Sequence, residues 1–278
     1  LLFSCYSQHK IIFVQYSLKM TVEHKGIKIF YTDQGKGTVA VLLHGFLENS
    51  TMWDPFLPVL TKKNRVICID LLGHGQTECL GYIHSMEIIA ESVEAVLKHL
   101  RIRKSILIGH SMGGYVALAF AEKKPDNIKG LCLMNSTASA DTPEKKINRD
   151  RGIEAVKQNH KTFIRIAIAN LFTPKNQSLF SKEIDALVKE CLKTPLQGIV
   201  AALEGMKIRE DREVILHFSP YKKMMIIGKN DPALPYNTLK SQTENTEVNV
   251  VEFNGGHMSY IENKHIFLQN ILHFIEFI

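Results

Sequence analysis

Apolar positions in this chain fall into two textures. The first is a series of short runs rich in Val, Ile, Leu and Met: Ile27–Thr32, Val39–Leu43, Arg65–Ile69, Ser105–Ile108, Lys129–Met134, Met224–Ile227 and Val248–Phe253. Runs of this length, bounded by Gly, Asp or Asn, predict buried strands. A further short strand at Thr21–Glu23 is joined to Ile27–Thr32 through His24-Lys25-Gly26, a hairpin signal. The second texture has helical spacing. It covers Asp54–Leu60, Ser85–Leu100 with Ser85 as its cap, the stretch from Gly114 to Glu122, and an amphipathic closing segment Ile261–Ile278. Strands alternating with helices predict a mostly parallel α/β sheet covered on both faces.

One region breaks the alternation. From about 140 to 219 no strand pattern occurs; helical stretches Pro143–Lys157, Thr162–Leu171, Glu183–Leu192 and Leu196–Lys207 are punctuated by Pro174 and Pro195. An insertion after the strand at Lys129–Met134 leaves the sheet at the carboxyl ends of its strands, where open α/β sheets bind ligands. The expected organisation is therefore a core of residues 20–139 and 220–278, with 140–219 as a helical cap over the site.

The candidate chemistry sits at strand ends. Gly109-His110-Ser111-Met112-Gly113 lies where a strand turns into a helix. Flanking glycines permit so sharp a turn, and the following helix amino terminus favours developing negative charge beside the serine. Asp231 follows the strand Met224–Ile227, and His257 follows Val248–Phe253 within Asn254-Gly255-Gly256-His257. The order Ser111, Asp231, His257 is nucleophile, acid, base. A serine hydroxyl needs a base to take its proton, and that base needs a carboxylate to fix its tautomer. The expected oxyanion donors are the backbone N–H groups of Met112 and of Phe46 after His44-Gly45. Asp70 and Asp141 are rival acids, and Asp70 is expected to pin its own loop. Among the 12 histidines, His44 is expected to orient the oxyanion loop, His110 to be structural, and His265 and His273 to lie in the last helix.

Composition narrows the remaining classes. With 45% hydrophobic and 22% charged residues, the chain has the balance of a globular domain. The net charge of +6 is scattered, with no basic stripe interleaved with aromatics, so nucleic-acid binding has no support. No apolar run reaches the roughly 20 residues of a membrane span. Five widely spaced cysteines (Cys5, Cys68, Cys79, Cys132, Cys191) suggest neither a disulfide framework nor a metal site, and point to a reducing, cytoplasmic setting. Residues 1–19 are expected to be an extension outside the fold, with Met20 as the natural beginning.

Together, His44-Gly45-Phe46, Asp70-Leu71-Leu72-Gly73-His74-Gly75, Gly109-His110-Ser111-Met112-Gly113-Gly114, Gly228-Lys229-Asn230-Asp231 and Gly256-His257 resemble the α/β-hydrolase superfamily over about residues 21–278. The resemblance implies a mostly parallel eight-stranded sheet with helices on both faces, a helical cap and a serine-hydrolase triad, with no cofactor. Ser111 stands where the similar haloalkane dehalogenases and epoxide hydrolases carry aspartate. The remaining group is esterase-like: carboxylesterases, with thioesterases, carbon–carbon bond hydrolases and perhydrolases as alternatives, and a non-catalytic small-molecule receptor as the outlying one. Phe46, Leu47, Met112 and the cap stretch around Phe163 suggest a fairly apolar ester, with Leu47 and Phe163 as substrate contacts.

Overall fold

The computed structural model describes residues 18–278. Its strands are β1 (Leu18–His24), β2 (Ile27–Gln34), β3 (Thr38–Leu43), β4 (Asn64–Ile69), β5 (Ser105–His110), β6 (Ile128–Met134), β7 (Lys222–Gly228) and β8 (Asn249–Phe253). They form one eight-stranded sheet in the order β1-β2-β4-β3-β5-β6-β7-β8. β1 pairs antiparallel with β2 and β2 antiparallel with β4; every other pairing is parallel. The strand period of two divides the sheet into faces. Val41, Leu43, Ile67, Ile69, Leu107 and Leu133 pack into one core, against the helices Met86–His99 and Met112–Lys123. Ala40, Leu42, Val66, Cys68, Ile106 and Ile108 pack into the other, against Trp53, Phe56 and the helix Lys264–Glu276. Burial on both sides is why these strands read as continuous apolar runs.

Strand order fixes where a site can form. β3 lies between β4 and β5, so the chain leaves it toward one side of the sheet and later returns on the other. This switch leaves a crevice at the strand carboxyl ends. The register brings those ends level: Leu43 pairs with Gly109, Gly109 with Leu133, and Gly228 with Phe253. The loops carrying Phe46, Ser111, Asp231 and His257 all emerge on that edge. Between β6 and β7 come the helices Pro143–Ala169, Pro174–Leu179, Ser181–Cys191, Leu196–Lys207 and Glu213–Phe218. This is the run of helices expected as a cap.

Several elements differ from expectation. Cap stretches expected as two helices run from Pro143 to Ala169 with one non-helical residue, Asn159, at φ −153° and ψ 87°. Its side chain accepts from the Thr162 N–H at 3.0 Å and restarts the helix. The helix expected over Asp54–Leu60 is instead a 3₁₀ turn, Ser50–Trp53, followed by Leu57–Leu60. Asn49 caps the earlier turn by accepting from Thr51, and Pro55 has no N–H to continue it. The closing segment breaks at Asn263 into Ser259–Glu262 and Lys264–Glu276. Short helices at Pro174–Leu179, Glu213–Phe218 and Tyr236–Ser241 were not anticipated; each spans less than two turns, too little for a periodic pattern. Of the expected extension, residues 1–17 lie outside the described residues, while Leu18 and Lys19 pair with Asp33 and Thr32 inside β1. Among the described residues no helix is long and apolar enough to cross a membrane.

Candidate active site

Ser111 joins β5 to the helix Met112–Lys123 at φ 50° and ψ −115°. A non-glycine residue in that region stores roughly 1–3 kcal/mol of strain and persists only where its surroundings hold it. The surroundings do so through backbone bonds. The Ser111 N–H donates to Met134 O at 2.9 Å, and Ser111 O accepts from Gly114 N–H at 2.9 Å and from Ser136 Oγ at 2.8 Å. The turn is tight enough that a Cβ on Gly109 would overlap the backbone of Gly113. One on Gly113 would overlap the carbonyls of Leu43 and His44. Those two glycines are therefore steric requirements of the elbow.

The loops after β7 and β8 bring two further groups to this serine. His257 Nε2 lies 2.9 Å from Ser111 Oγ, and His257 Nδ1 lies 2.8 Å from Asp231 Oδ2. Asp231 is anchored in turn. Its Oδ1 accepts from the N–H groups of Ala233 at 2.8 Å and Leu234 at 3.0 Å, and its Oδ2 accepts from Asn135 Nδ2 at 3.2 Å. Burial opposes ionisation of this carboxyl, but the His257 ring and these donors outweigh it and hold the pKa below its ordinary value. An ionised Asp231 fixes the proton of the neutral ring on Nδ1, leaving the Nε2 lone pair for the serine hydroxyl.

The loop after β3 supplies the opposite wall. His44 is buried, donates from Nδ1 to Gly45 O at 2.8 Å and accepts at Nε2 from the Leu71 N–H at 2.8 Å. Burial lowers its pKa to about 4, so it is a neutral strut between two loops. Leu47 takes φ 68°, turning the loop back on itself. The cavity beside Ser111 and His257 has a volume of about 370 Å³ and is lined by Phe46 and Leu47 together with cap residues including Phe163. Met112 lies elsewhere: its side chain is in the core beneath the elbow, so only its backbone can face the site.

A model of the α/β-hydrolase fold matches residues 39–264. The chain belongs to the α/β-hydrolase fold family. It is 29% identical over 252 residues to the dihydrolipoyllysine-residue acetyltransferase component of the acetoin cleaving system of Pseudomonas putida, a match covering 86% of this chain. The chain spans less than two thirds, 64%, of that relative's length. It is 26% identical over 232 residues to 3-oxoadipate enol-lactonase 1 of Acinetobacter baylyi, covering 81% of this chain and 84% of the relative. Among solved structures, a thermophilic esterase from Thermogutta terrifontis, crystallised with malate, superposes with a TM-score of 0.84 at 29% identity, over 94% of this chain and 98% of that one.

Within this α/β-hydrolase the rival residues are placed apart from the serine. Asp70 accepts from the N–H groups of Ser50 at 2.7 Å and Gln76 at 2.8 Å, pinning its loop. Asp141 is held by Arg149 and Arg209. His265 and His273 are exposed on the last helix. His110 borders the same cavity but is held in a buried contact with Glu48, Nδ1 to Oε2 at 2.7 Å, both side chains only 2% exposed. Glu48 Oε2 also accepts from the Gly45 N–H at 2.8 Å, and Oε1 accepts from the Tyr260 hydroxyl at 2.6 Å. His110 Nε2 donates to His257 O at 3.2 Å. Sequence reasoning missed Glu48, Tyr260 and Asn135. Only Glu48, four residues after His44 and directly after Phe46-Leu47, left a trace: a carboxylate close to the expected oxyanion loop.

Proposed function

We propose that this α/β-hydrolase cleaves carboxylic esters, lactones included, by nucleophilic catalysis at Ser111. The observation that carries the reading is the continuous contact from Ser111 Oγ to His257 Nε2 at 2.9 Å and from His257 Nδ1 to Asp231 at 2.8 Å. Ser111 Oγ attacks the ester carbonyl carbon while His257 Nε2 takes its proton. The carbonyl oxygen becomes an oxyanion, met by the backbone N–H groups of Phe46 and Met112. Among the described residues neither N–H donates to another protein group. Each such donor contributes about 3 kcal/mol to the transition state. The carbon–oxygen bond to the alcohol then breaks, and His257 returns the proton to the departing oxygen. Water, deprotonated by the same histidine, hydrolyses the acyl-serine and releases the acid.

The apolar lining, with Leu47, Phe163, Ile168, Leu171, Met206 and Leu234 among it, supports a substrate whose acyl part is largely hydrocarbon. The esterase and enol-lactonase likenesses support oxygen esters ahead of thioesters or carbon–carbon bonds. Cys68, Cys132 and Cys191 are buried free thiols, which supports a reducing, cytoplasmic setting. The test is pre-steady-state hydrolysis of p-nitrophenyl esters. A stoichiometric burst of nitrophenol that disappears in Ser111→Ala is expected. A linear release with a fully active Ser111→Ala variant would contradict the reading.

A further inference from the structure

The cap helix Pro143–Ala169 presents an unusual stripe to the cavity. Lys145, Asn148, Arg149 and Gly152 all line it. Their spacing of three, four and seven residues places them on one helical face. A helix face that borders a cavity is ordinarily apolar. Here it carries two cations in a cavity whose other walls are mostly hydrocarbon.

The charges on this face do not balance. Asp141 is the carboxylate at its base, and it is shared between Arg149 Nε at 3.0 Å and Arg209 Nη1. Arg209 is fixed, stacked 4.2 Å above the Tyr115 ring and donating to Met206 O and Ser139 O. Arg149 engages Asp141 through Nε alone; among the described residues its two terminal amino groups have no protein acceptor. The Lys145 ammonium has no carboxylate partner among the described residues. Asp141 is therefore shared by two guanidinium groups, and Lys145 feels only longer-range attraction to Asp141 and Asp231. Burial lowers the Lys145 pKa, Arg209 and Arg149 add to that, and Asp141 and Asp231 oppose it. A half-buried ammonium in that position gains most from an incoming anion that desolvates with it.

We propose that Lys145 and Arg149 form a carboxylate-binding subsite, and that the preferred substrate is an ester with a free carboxylate at the end remote from the scissile bond. This rests on the ester-hydrolase reading for the bond cleaved and adds the substrate's second functional group. Ammonium and free guanidinium amino groups supply several donors to one planar anion, while the hydrocarbon walls take the methylene chain between carboxylate and ester. The hydrocarbon lining disfavours a strongly hydrated inorganic dianion.

The test compares monomethyl glutarate, adipate and pimelate with neutral methyl esters of matching chain length. The half-esters should be preferred by about tenfold in kcat/KM, chiefly through KM, as one charge-assisted contact provides. Lys145→Met should bring the ratio close to one and Lys145→Arg should restore most of it; a ratio taken on one protein cancels any general loss of folded enzyme. A wild-type ratio near one, or a ratio surviving Lys145→Met, overturns the subsite. A second arm titrates Ser111→Ala with glutarate and with inorganic phosphate by calorimetry. Glutarate should bind more tightly than phosphate and weaken about tenfold when Lys145→Met is added; tighter phosphate binding overturns the carboxylate assignment. Lys145-dependent glutarate binding without turnover of any ester would sink the hydrolase reading and leave the subsite standing. Neutral-ester turnover without glutarate binding would sink the subsite alone.

Discussion

Two buried carboxylate–histidine pairs lie side by side in this molecule. Asp231–His257 and Glu48–His110 have nearly equal contacts, 2.8 and 2.7 Å. The rings of His110 and His257 are 5.3 Å apart, tilted at 52°. Their difference lies at the far nitrogen. His257 Nε2 meets a serine hydroxyl, which can give up a proton; His110 Nε2 meets the carbonyl of His257, which can only accept one. His110 therefore donates from both nitrogens, the arrangement of a charged ring. Burial alone would lower its pKa, but the Glu48 charge and hydrogen bond, with the His257 carbonyl, raise it. Glu48, correspondingly, sits at about 2: burial pushes it up, and His110 and Tyr260 pull it down further. What the second nitrogen faces thus separates a ring placed to take a proton from one placed to brace. The brace joins the Gly45 N–H of the loop after β3 to the backbone of His257, so it sets two walls of the cavity relative to each other.

Exchanging the histidines breaks the comparison most severely. His257→Ala should lower ester turnover by roughly 10⁴- to 10⁶-fold with little change in melting temperature, as seen when a triad member is removed. His110→Ala should do the reverse, costing about 3 kcal/mol of stability because it strands the Glu48 charge in the interior, with a smaller effect on kcat. Turnover assays and thermal unfolding of both variants separate the two roles. Equal catalytic losses would erase the distinction.

The acid side sharpens it. Glu48→Gln should narrow the pH range of stability in a defined way. Glu48 is held at about 2 against an ordinary 4.5, so its contribution is complete above about 4.5 and fades as pH falls toward 2. His110 is raised above 6.5, so its contribution is complete below 6.5 and fades as pH rises through the higher folded value. The stability difference between wild type and Glu48→Gln should therefore peak between about pH 4.5 and 6.5. A pH-independent difference would contradict the charged pair. The smallest expected effect is at Asn135. Its 3.2 Å bond steadies Asp231, and Asn135→Ala should lower kcat about fivefold with KM unchanged.

The comparison also marks what the sequence could reveal. The placement of Ser111, Asp231 and His257 was legible because each follows a strand in a glycine-bearing turn, and a parallel sheet must gather such turns on one edge. The strands were legible for the same reason, since burial on both faces leaves a run of aliphatic residues. Glu48, Tyr260 and Asn135 were not, because each acts through a tertiary contact with a partner far along the chain: Glu48 with His110, Tyr260 with Glu48, Asn135 with Asp231. The run of helices between β6 and β7 was visible as an interruption of the strand–helix alternation. The facing of Lys145 and Arg149 was hidden, because a Lys- and Arg-bearing helix face reads as a solvated one until packing shows that it borders a cavity.

The central claim is that Ser111 is a nucleophile activated by His257. Its most direct test is reaction of the intact protein with a fluorophosphonate, followed by mass analysis of the peptide that carries the adduct. One phosphonyl group per chain on Ser111, with labelling slowed by orders of magnitude in His257→Ala, is the predicted result. A folded protein left unlabelled, or labelled on a different residue, would contradict it.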